Sequence, residues 1–288
     1  MRVTDSMLRS SALRSLGANA SSLAGIQEQV ATTKRLNRPS DDPAQVRQAV
    51  KLHDGIAELE QFTRNIDAGN RRLSTADSAM AGAGYVIQRA RELAIQGANG
   101  SLSATDRTTM ALEVAQLADQ LVQEASTKVG DSYVFSGFKT DVPPYASPMG
   151  AYQGDGGAVM ARISPATTVH VNVTADAVFG PALTALVQMQ AELAAGTPVS
   201  AATINLIDAG HAALLAGRAT VGAMENRLDG TADYLGQGII AAKTLLSQLE
   251  DVDMTEAISQ LSERQVTYQA SLKVNAGLLQ TSLIDLLR

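Results

Sequence analysis

The sequence predicts a mainly α-helical protein. The expected form is an elongated, hairpin-like bundle of long helices with its N- and C-terminal helices paired as a coiled coil, plus a small β-rich outer insert. Three observations carry this expectation. A seam of apolar and small residues at alternating three- and four-residue steps runs Leu59, Phe62, Ile66, Gly69, Leu73, Ala76, Met80, Ala83, Ile87, Ala90, Ala94. Five of the eight prolines fall between Pro143 and Pro181, and the last 90 residues have none. Six of the ten Phe and Tyr lie in 133–179, so the middle of the chain differs in kind from both flanks.

Each element has its own signals. Leu13, Leu16, Ala20, Leu23 and Val30, with polar Gln27 between them, keep the helical step and predict a first helix that stops at Asn37-Arg38-Pro39. Ser40-Asp41-Asp42-Pro43 then reads as a helix start. Asp42 is the N-cap that accepts backbone N–H groups, and Pro43 takes the first helical position. A paired-aspartate metal site is the sharper alternative, but no further ligands cluster nearby. The seam from Leu59 to Ala94 covers 36 residues, a rod of roughly 54 Å at ~1.5 Å per residue. Such a rod cannot bury its stripe on itself and needs partner helices. Gly82 and Gly84 inside it point to close helix approach rather than a phosphate cradle.

Gly97-Ala98-Asn99-Gly100 is a loop signal, and Ser103-Ala104-Thr105-Asp106 resembles a capping box. Met110, Val114, Leu117 and Leu121 continue a helix to about Gly130, so 53–130 is predicted as two antiparallel helices. Tyr133-Val134-Phe135 is strand-like, Gly154-Asp155-Gly156-Gly157 is a turn cluster, and Val169, Val171 and Val173 alternate with His170, Asn172 and Thr174. Helical character returns at Ala182. Beyond Pro198 it runs through Met224, Leu228, Ala232, Leu235, Ile239, Ala242, Leu246 and Leu249, then Leu261, Tyr268, Leu272, Leu279 and Leu286. A Leu-rich tail is expected to dock, and the N-terminal helix is the available partner. The expected division is 1–52 with 235–288 as an inner terminal coiled coil, 53–130 with 182–234 as a helical bundle, and 131–181 as the β-rich outer part.

Composition narrows the function classes. Aromatics are 3% of the chain, Trp is absent, and alanine and leucine are left to do the packing. Net charge is −6, with no basic patch interleaved with aromatics, which argues against nucleic acid as a partner. Residues 1–52 hold eight Lys/Arg against four Asp/Glu, while 231–288 hold four against seven, so the two ends carry opposite sign. There is no cysteine, hence no disulfide, thiolate metal site or thiol nucleophile. No stretch approaches the ~18 apolar residues of a membrane span. Met1-Arg2-Val3-Thr4-Asp5-Ser6 is not followed by a continuous apolar segment, so no Sec-type signal peptide is expected.

Four blocks, in order, resemble the bacterial flagellin superfamily. Lys34-Arg35-Leu36-Asn37-Arg38-Pro39-Ser40-Asp41-Asp42-Pro43-Ala44 is similar to its K-R-hydrophobic-x-x-P-S-D-D-P block. Gly100-Ser101-Leu102-Ser103 with Asp106-Arg107 resembles its G-x-L-S-x-x-D-R helix start. Ser132-Tyr133-Val134-Phe135-Ser136-Gly137-Phe138-Lys139-Thr140, followed by Pro144-Tyr145, is similar to the signature that opens the insert. Leu249 through Ala257, and Gln269-Ala270-Ser271-Leu272, resemble the C-terminal flagellin region. Filament flagellins usually carry D-D-A-A-G where this chain has Asp41-Asp42-Pro43-Ala44-Gln45, and tend to lack the Tyr133–Thr140 signature. The resemblance is therefore closer to the branch that joins hook to filament.

That resemblance implies a structural adaptor at the hook–filament junction, outside the cell, exported through the flagellar type III apparatus. It implies hook-associated protein 1 and flagellin as partners, self-association in a ring, and a dedicated export chaperone on residues 250–288. Terminal regions of this family order on assembly. The expected subunit interface is the apolar seam of the two ends: Leu13, Leu16, Leu23, Val30, Leu246, Leu249, Leu261, Tyr268, Leu272, Leu279 and Leu286. A filament-forming flagellin and a cytosolic coiled-coil regulator are the alternatives. No cofactor, metal or catalytic role is expected. His53, His170 and His211 lie in different segments, and Ser6, Ser10 and Ser22 have no neighbouring base.

Overall fold

The computed structural model describes residues 5–286, with the side chains of Met7 and of residues 10–277. In chain order the elements are α1 (Asp5–Thr32), α2 (Pro43–Gly97), α3 (Ala104–Ala125), β1 (Lys128–Val129), β2 (Ser132–Tyr133), β3 (Met160–Ser164), β4 (Thr167–His170), α4 (Ala175–Val178), α5 (Gly180–Ala194), α6 (Ala201–Glu250) and α7 (Met254–Leu286). The described chain is mainly helical, with two small antiparallel sheets, β1–β2 and β3–β4. Met160 lies opposite His170, and the ladder shifts register between Arg162 and Ser164. The fold comprises two compact units. One joins residues up to Glu58 with those from Ile239 onward, and the other runs from Leu59 to Gly238.

The central unit has a continuous apolar core. Every seam position from Phe62 to Ala94 is buried, and Leu59 packs against the core half-buried. Gly69, the exception in the seam, has a packing reason. A Cβ there would stand 3.1 Å from Val171 Cγ1 and 3.2 Å from Leu228 Cδ1. The glycine is thus the point where α2 admits both the β segment and α6. Gly82 is a second close approach, since an added Cβ would lie 2.6 Å from the Glu124 carboxylate of α3. The side chains of Val134, Phe135, Ile163, Val169 and Val171 belong to this same core. Phe135 meets Phe179 edge to face at 4.9 Å between centroids.

Local chemistry sets the ends of the elements. Ser103 and Asp106 form the expected capping box on α3, each side chain accepting the other's backbone N–H. Arg107, the next residue of that block, is buried and donates to the carbonyls of Gly196 (3.2 Å) and Asn99 (3.0 Å), tying two inter-helix turns together. Glu192 accepts from Ser200 N, Ser200 Oγ and Thr203 Oγ1, closing the α5–α6 turn. Burial raises the Glu192 pKa, but these hydrogen bonds outweigh it and the net shift is downward.

Three boundaries differ from expectation. The first helix ends at Thr32 rather than near Asn37, because Thr33 turns left-handed (φ 58°) and Lys34 enters a β-bridge with Asp251. β2 holds only Ser132–Tyr133 of the strand expected through Phe135. Val134 N–H goes instead to the Thr127 carbonyl, and the Phe135 carbonyl accepts from Ala175 N. β4 stops at His170, although Val171 still donates to the Val159 carbonyl.

The terminal unit is built differently. α1 packs along α7, and the start of α2 packs on the end of α6 through Ala49, Ile56 and Leu246. With Ala257, these are the buried hydrophobic side chains among its described residues. No helix among the described residues is long and apolar enough to cross a membrane.

Candidate assembly interface

Two sequence blocks more than two hundred positions apart meet in the terminal unit and form a clamp. Backbone pairing comes first. Arg35 N donates to the Glu250 carbonyl, and Val252 N donates to the Thr33 carbonyl at 3.1 Å, flanking the Lys34–Asp251 bridge. Side chains then lock the pairing. Lys34 Nζ lies 2.7 Å from Asp251 Oδ1 and 3.1 Å from Glu250 Oε2, and His53 Nε2 lies 2.8 Å from Glu250 Oε1. Arg35 donates from Nη2 to the Leu249 carbonyl and to Gln45 Oε1. The Asp251 carboxylate beside it raises the Lys34 pKa, with burial opposing and Glu250 assisting. In return Lys34, followed by the Ser247 hydroxyl, holds the Asp251 carboxyl below the usual range.

The aspartate pair has two backbone tasks. Asp41 Oδ2 accepts from Asn37 N (3.0 Å) and Arg38 N (2.8 Å), fixing the turn after the clamp. Asp42 Oδ1 accepts from Ala44 N and Gln45 N, both at 3.0 Å, and these bonds lower its pKa. It is the N-cap of α2 with Pro43 at the first helical position, as expected. Pro39 and Ser40 lie exposed in the turn between them. Among the described residues no group of three or more His, Asp or Glu is placed to hold a metal ion.

The second signature block is a knot inside the central unit. Gly137 adopts φ +71°, and a side chain there would run into Asp155, whose Oδ1 accepts from Phe138 N (2.7 Å) and Gly157 N (2.9 Å). Tyr133 N donates to the Thr140 carbonyl at 2.8 Å, and Ser136 Oγ donates to the Val142 carbonyl at 2.7 Å. Arg72 of α2 donates to the carbonyls of Tyr133 and Val134 from a half-buried site that lowers its pKa by desolvation. The Tyr152 hydroxyl reaches the carbonyls of Phe135 and Asp155. Here the signature is a set of backbone obligations.

The apolar seam of the ends is only partly covered. Leu16, Leu23, Val30, Leu249, Leu261 and Tyr268 are half-buried, and Leu246 is buried in the α2–α6 contact. Leu13 remains 62% exposed and Leu272 43%. The side chains of Leu279 and Leu286 lie outside the described residues. The α7 face turned to α1 runs Ala257, Leu261, Tyr268, Ser271, Asn275, a three–four repeat that leaves Leu272 one position off. Polar contacts replace leucine there. Asn19 Nδ2 donates to Ser271 Oγ at 2.6 Å, and Asn275 Nδ2 reaches the Ala12 carbonyl at 3.5 Å. Beside that face, Met254, Ile258 and Leu272 form a flanking exposed stripe. Sequence reasoning missed Glu250, Asp251 and His53 as clamp residues. The pairing of basic Lys34-Arg35 with acidic Glu250-Asp251 was the available signal.

Known proteins align with this layout. The family model of the bacterial flagellin N-terminal helical region matches residues 3–140, ending at the last residue of the Ser132–Thr140 block. The model of the bacterial flagellin C-terminal helical region matches residues 204–287. Flagellar hook-associated protein 3 of Escherichia coli K12 is 27% identical over 316 positions, covering 99% of this chain and 99% of that protein. Its namesake in Salmonella typhimurium is 27% identical over the full length of both. A solved putative flagellar hook-associated protein from Vibrio parahaemolyticus superposes with a TM-score of 0.67 at 22% identity, covering 73% of this chain and 100% of that one. The matched regions hold the clamp from both sides and most of the helical core, and with the two models accounting for both ends, the chain belongs to the bacterial flagellin family.

Proposed function

We propose that this chain is a structural subunit of the bacterial flagellum, acting as the adaptor at the hook–filament junction and carrying no catalytic activity. The observation that carries the reading is the terminal unit, which among its described residues buries four hydrophobic side chains while leaving Leu13, Val50, Met254, Ile258, Val266 and Leu272 exposed. Such a unit gains its missing apolar contacts from neighbouring subunits. Full-length likeness to hook-associated protein 3 supports the junction in preference to the filament. On this reading the inner layer is 1–52 with 235–288, and its partners are further copies in a ring, hook-associated protein 1 on one side and flagellin on the other. Export passes through the flagellar type III route to the cell exterior, with a chaperone covering 250–288 beforehand.

The test is reconstitution with purified proteins. Mixed with hook-associated protein 1, the chain is expected to form a stable complex and, alone, no long filaments. Long filaments from the chain alone would make it a filament flagellin instead.

A further inference from the structure

The α2–α3 turn carries the single Asn-Gly pair of the sequence, Asn99-Gly100, and both residues are exposed. An asparagine before glycine is open to attack on its side-chain amide by the next backbone nitrogen, because no Cβ shields that nitrogen. The fold itself does not ask for glycine here. Gly100 is not left-handed, and a Cβ on it would meet nothing within 4 Å. Its N–H donates to no group among the described residues, and neither does the side-chain nitrogen of Asn99.

What the turn does hold is the amide oxygen. Asn99 Oδ1 accepts from Ser101 N at 3.1 Å and from Ser101 Oγ at 2.9 Å. Two donors on that oxygen polarise the Cγ carbonyl and meet the negative charge that builds on it when a nucleophile adds. The main chain of the same residue is held as well. Asn99 N donates to the Gln96 carbonyl at 3.1 Å, and the Asn99 carbonyl accepts from Arg107 Nη2 at 3.0 Å. Arg107 is buried, its acceptors are the neutral carbonyls of Asn99 and Gly196, and its Nε–H has none. A buried cation without an anion is costly, and it gains from a carboxylate placed where one of those carbonyls stands.

We propose that Asn99-Gly100 is a self-modification site that converts to an isoaspartyl linkage, with Ser101 as the oxyanion donor and Arg107 as the group that receives the new carboxylate. Gly100 N bonds to Asn99 Cγ and gives up its proton. The Cγ–Nδ2 bond breaks, and ammonia leaves with that proton, giving a five-membered cyclic imide. One water then opens the ring. Arg107 polarises the main-chain carbonyl of residue 99, so water adds at that carbon and its bond to Gly100 N breaks. The chain now continues through Cγ, and the former carbonyl is a carboxylate within reach of Arg107 Nη2. Opening on the other side gives an ordinary aspartyl residue and leaves Arg107 without an anion. In balance one water is consumed, one ammonia is released, and nothing is oxidised or reduced. The tie between the two inter-helix turns thereby changes with time from a neutral hydrogen bond to an ion pair. The proposal is independent of the junction reading, because it requires only the central unit.

The test is an incubation of the purified full chain at neutral pH, folded and in guanidinium chloride, with peptide mapping by mass spectrometry. The mapping separates amide, aspartyl and isoaspartyl forms of the segment around residue 99. Conversion is expected to be several-fold faster in the folded chain than in the unfolded one, with a larger isoaspartyl share of the product. Ser101→Ala, at an exposed position, should slow the folded chain several-fold and leave the unfolded rate unchanged. Gly100→Ala, which the open space around it accommodates, should slow both at least tenfold. Folded conversion no faster than unfolded, an unchanged rate in folded Ser101→Ala, or the same isoaspartyl share in both states each overturns the proposal. The comparison of shares needs no variant at Arg107, whose replacement could disturb the fold.

Discussion

The two units use the same helices in opposite ways. Between Leu59 and Gly238, α2 buries ten consecutive seam positions, from Phe62 to Ala94, and α6 adds Ile207, Leu214, Val221, Leu228 and Leu235 at strict heptad steps. Among the described residues of the terminal unit the same two helices bury Ala49, Ile56 and Leu246, and α7 adds Ala257. The terminal unit pairs its two ends through backbone hydrogen bonds and ion pairs at the clamp, and among its described residues leaves Leu13, Val50, Met254, Ile258, Val266 and Leu272 exposed. Length and periodicity of a helix therefore do not determine how much of its apolar stripe is buried. What decides is how many faces find a partner in the same chain.

The strongest way to break this comparison is to cut one apolar residue from each unit and read two outcomes. Leu73 is fully buried in α2, and Leu73→Ala is expected to lower the unfolding free energy by about 2–5 kcal/mol, measured by urea denaturation. Leu272→Asp, on the exposed flank of α7, should alter the stability of the isolated chain by less than about 0.5 kcal/mol. It should nevertheless abolish the complex with hook-associated protein 1 in a pull-down. If Leu272→Asp assembles normally, or destabilises the lone chain as much as Leu73→Ala, the division between a self-sufficient and a dependent unit is wrong.

A sharper version targets the signature that opens the β segment. Gly137→Ala places a side chain at φ +71° and against Asp155, in the centre of the knot. Strain of this kind costs about 1–3 kcal/mol, so the thermal midpoint should fall while assembly of the remaining folded protein is unchanged. A loss of assembly at full stability would instead make this block a contact surface.

How far the sequence revealed this molecule follows the same division. The seam of α2, the N-cap at Asp42 and the capping box at Ser103 were legible because each depends on residues within one or two turns of one another. Leucine at heptad spacing, as at Leu272, marks an apolar stripe without saying which of two adjacent stripes meets the partner helix. The structure gives the inner stripe to Ser271 and Asn275, whose polar groups pair with Asn19 and the Ala12 carbonyl. The clamp was legible only as opposite charge at the two ends of the chain. Lys34 and Asp251 are separated by 217 positions, and nothing local to either names the other. For the signature block the order of residues was readable, but its purpose was not. Gly137 is required by a carboxylate eighteen residues later, a contact that only the folded chain brings together.

The smallest expected effect tests whether the clamp is electrostatic as well as backbone-paired. Asp251 has its carboxyl pKa lowered chiefly by Lys34, so its stabilisation is complete above the unfolded value of ~4 and is lost as pH falls through the lower, folded value. Lys34 has its pKa raised, so its contribution is complete below the unfolded value of ~10.4 and disappears only as pH rises through the folded one. Glu250, which faces both Lys34 and His53, is held within the same network. The clamp is therefore closed across the neutral range and opens at the acid edge. The amide of Val252, which donates to Thr33, reports on it directly. Because Lys34 and Asp251 are part-exposed, the pair is worth about 0–1 kcal/mol, which limits the gain in hydrogen-exchange rate for Lys34→Met to about fivefold at neutral pH. The wild-type protection factor should fall as pH drops below about 4, towards that of the variant, which should hardly change. Parallel protection curves for the two proteins would mean that the backbone bridge alone joins the two ends, and that the charges of Lys34 and Asp251 only decorate it.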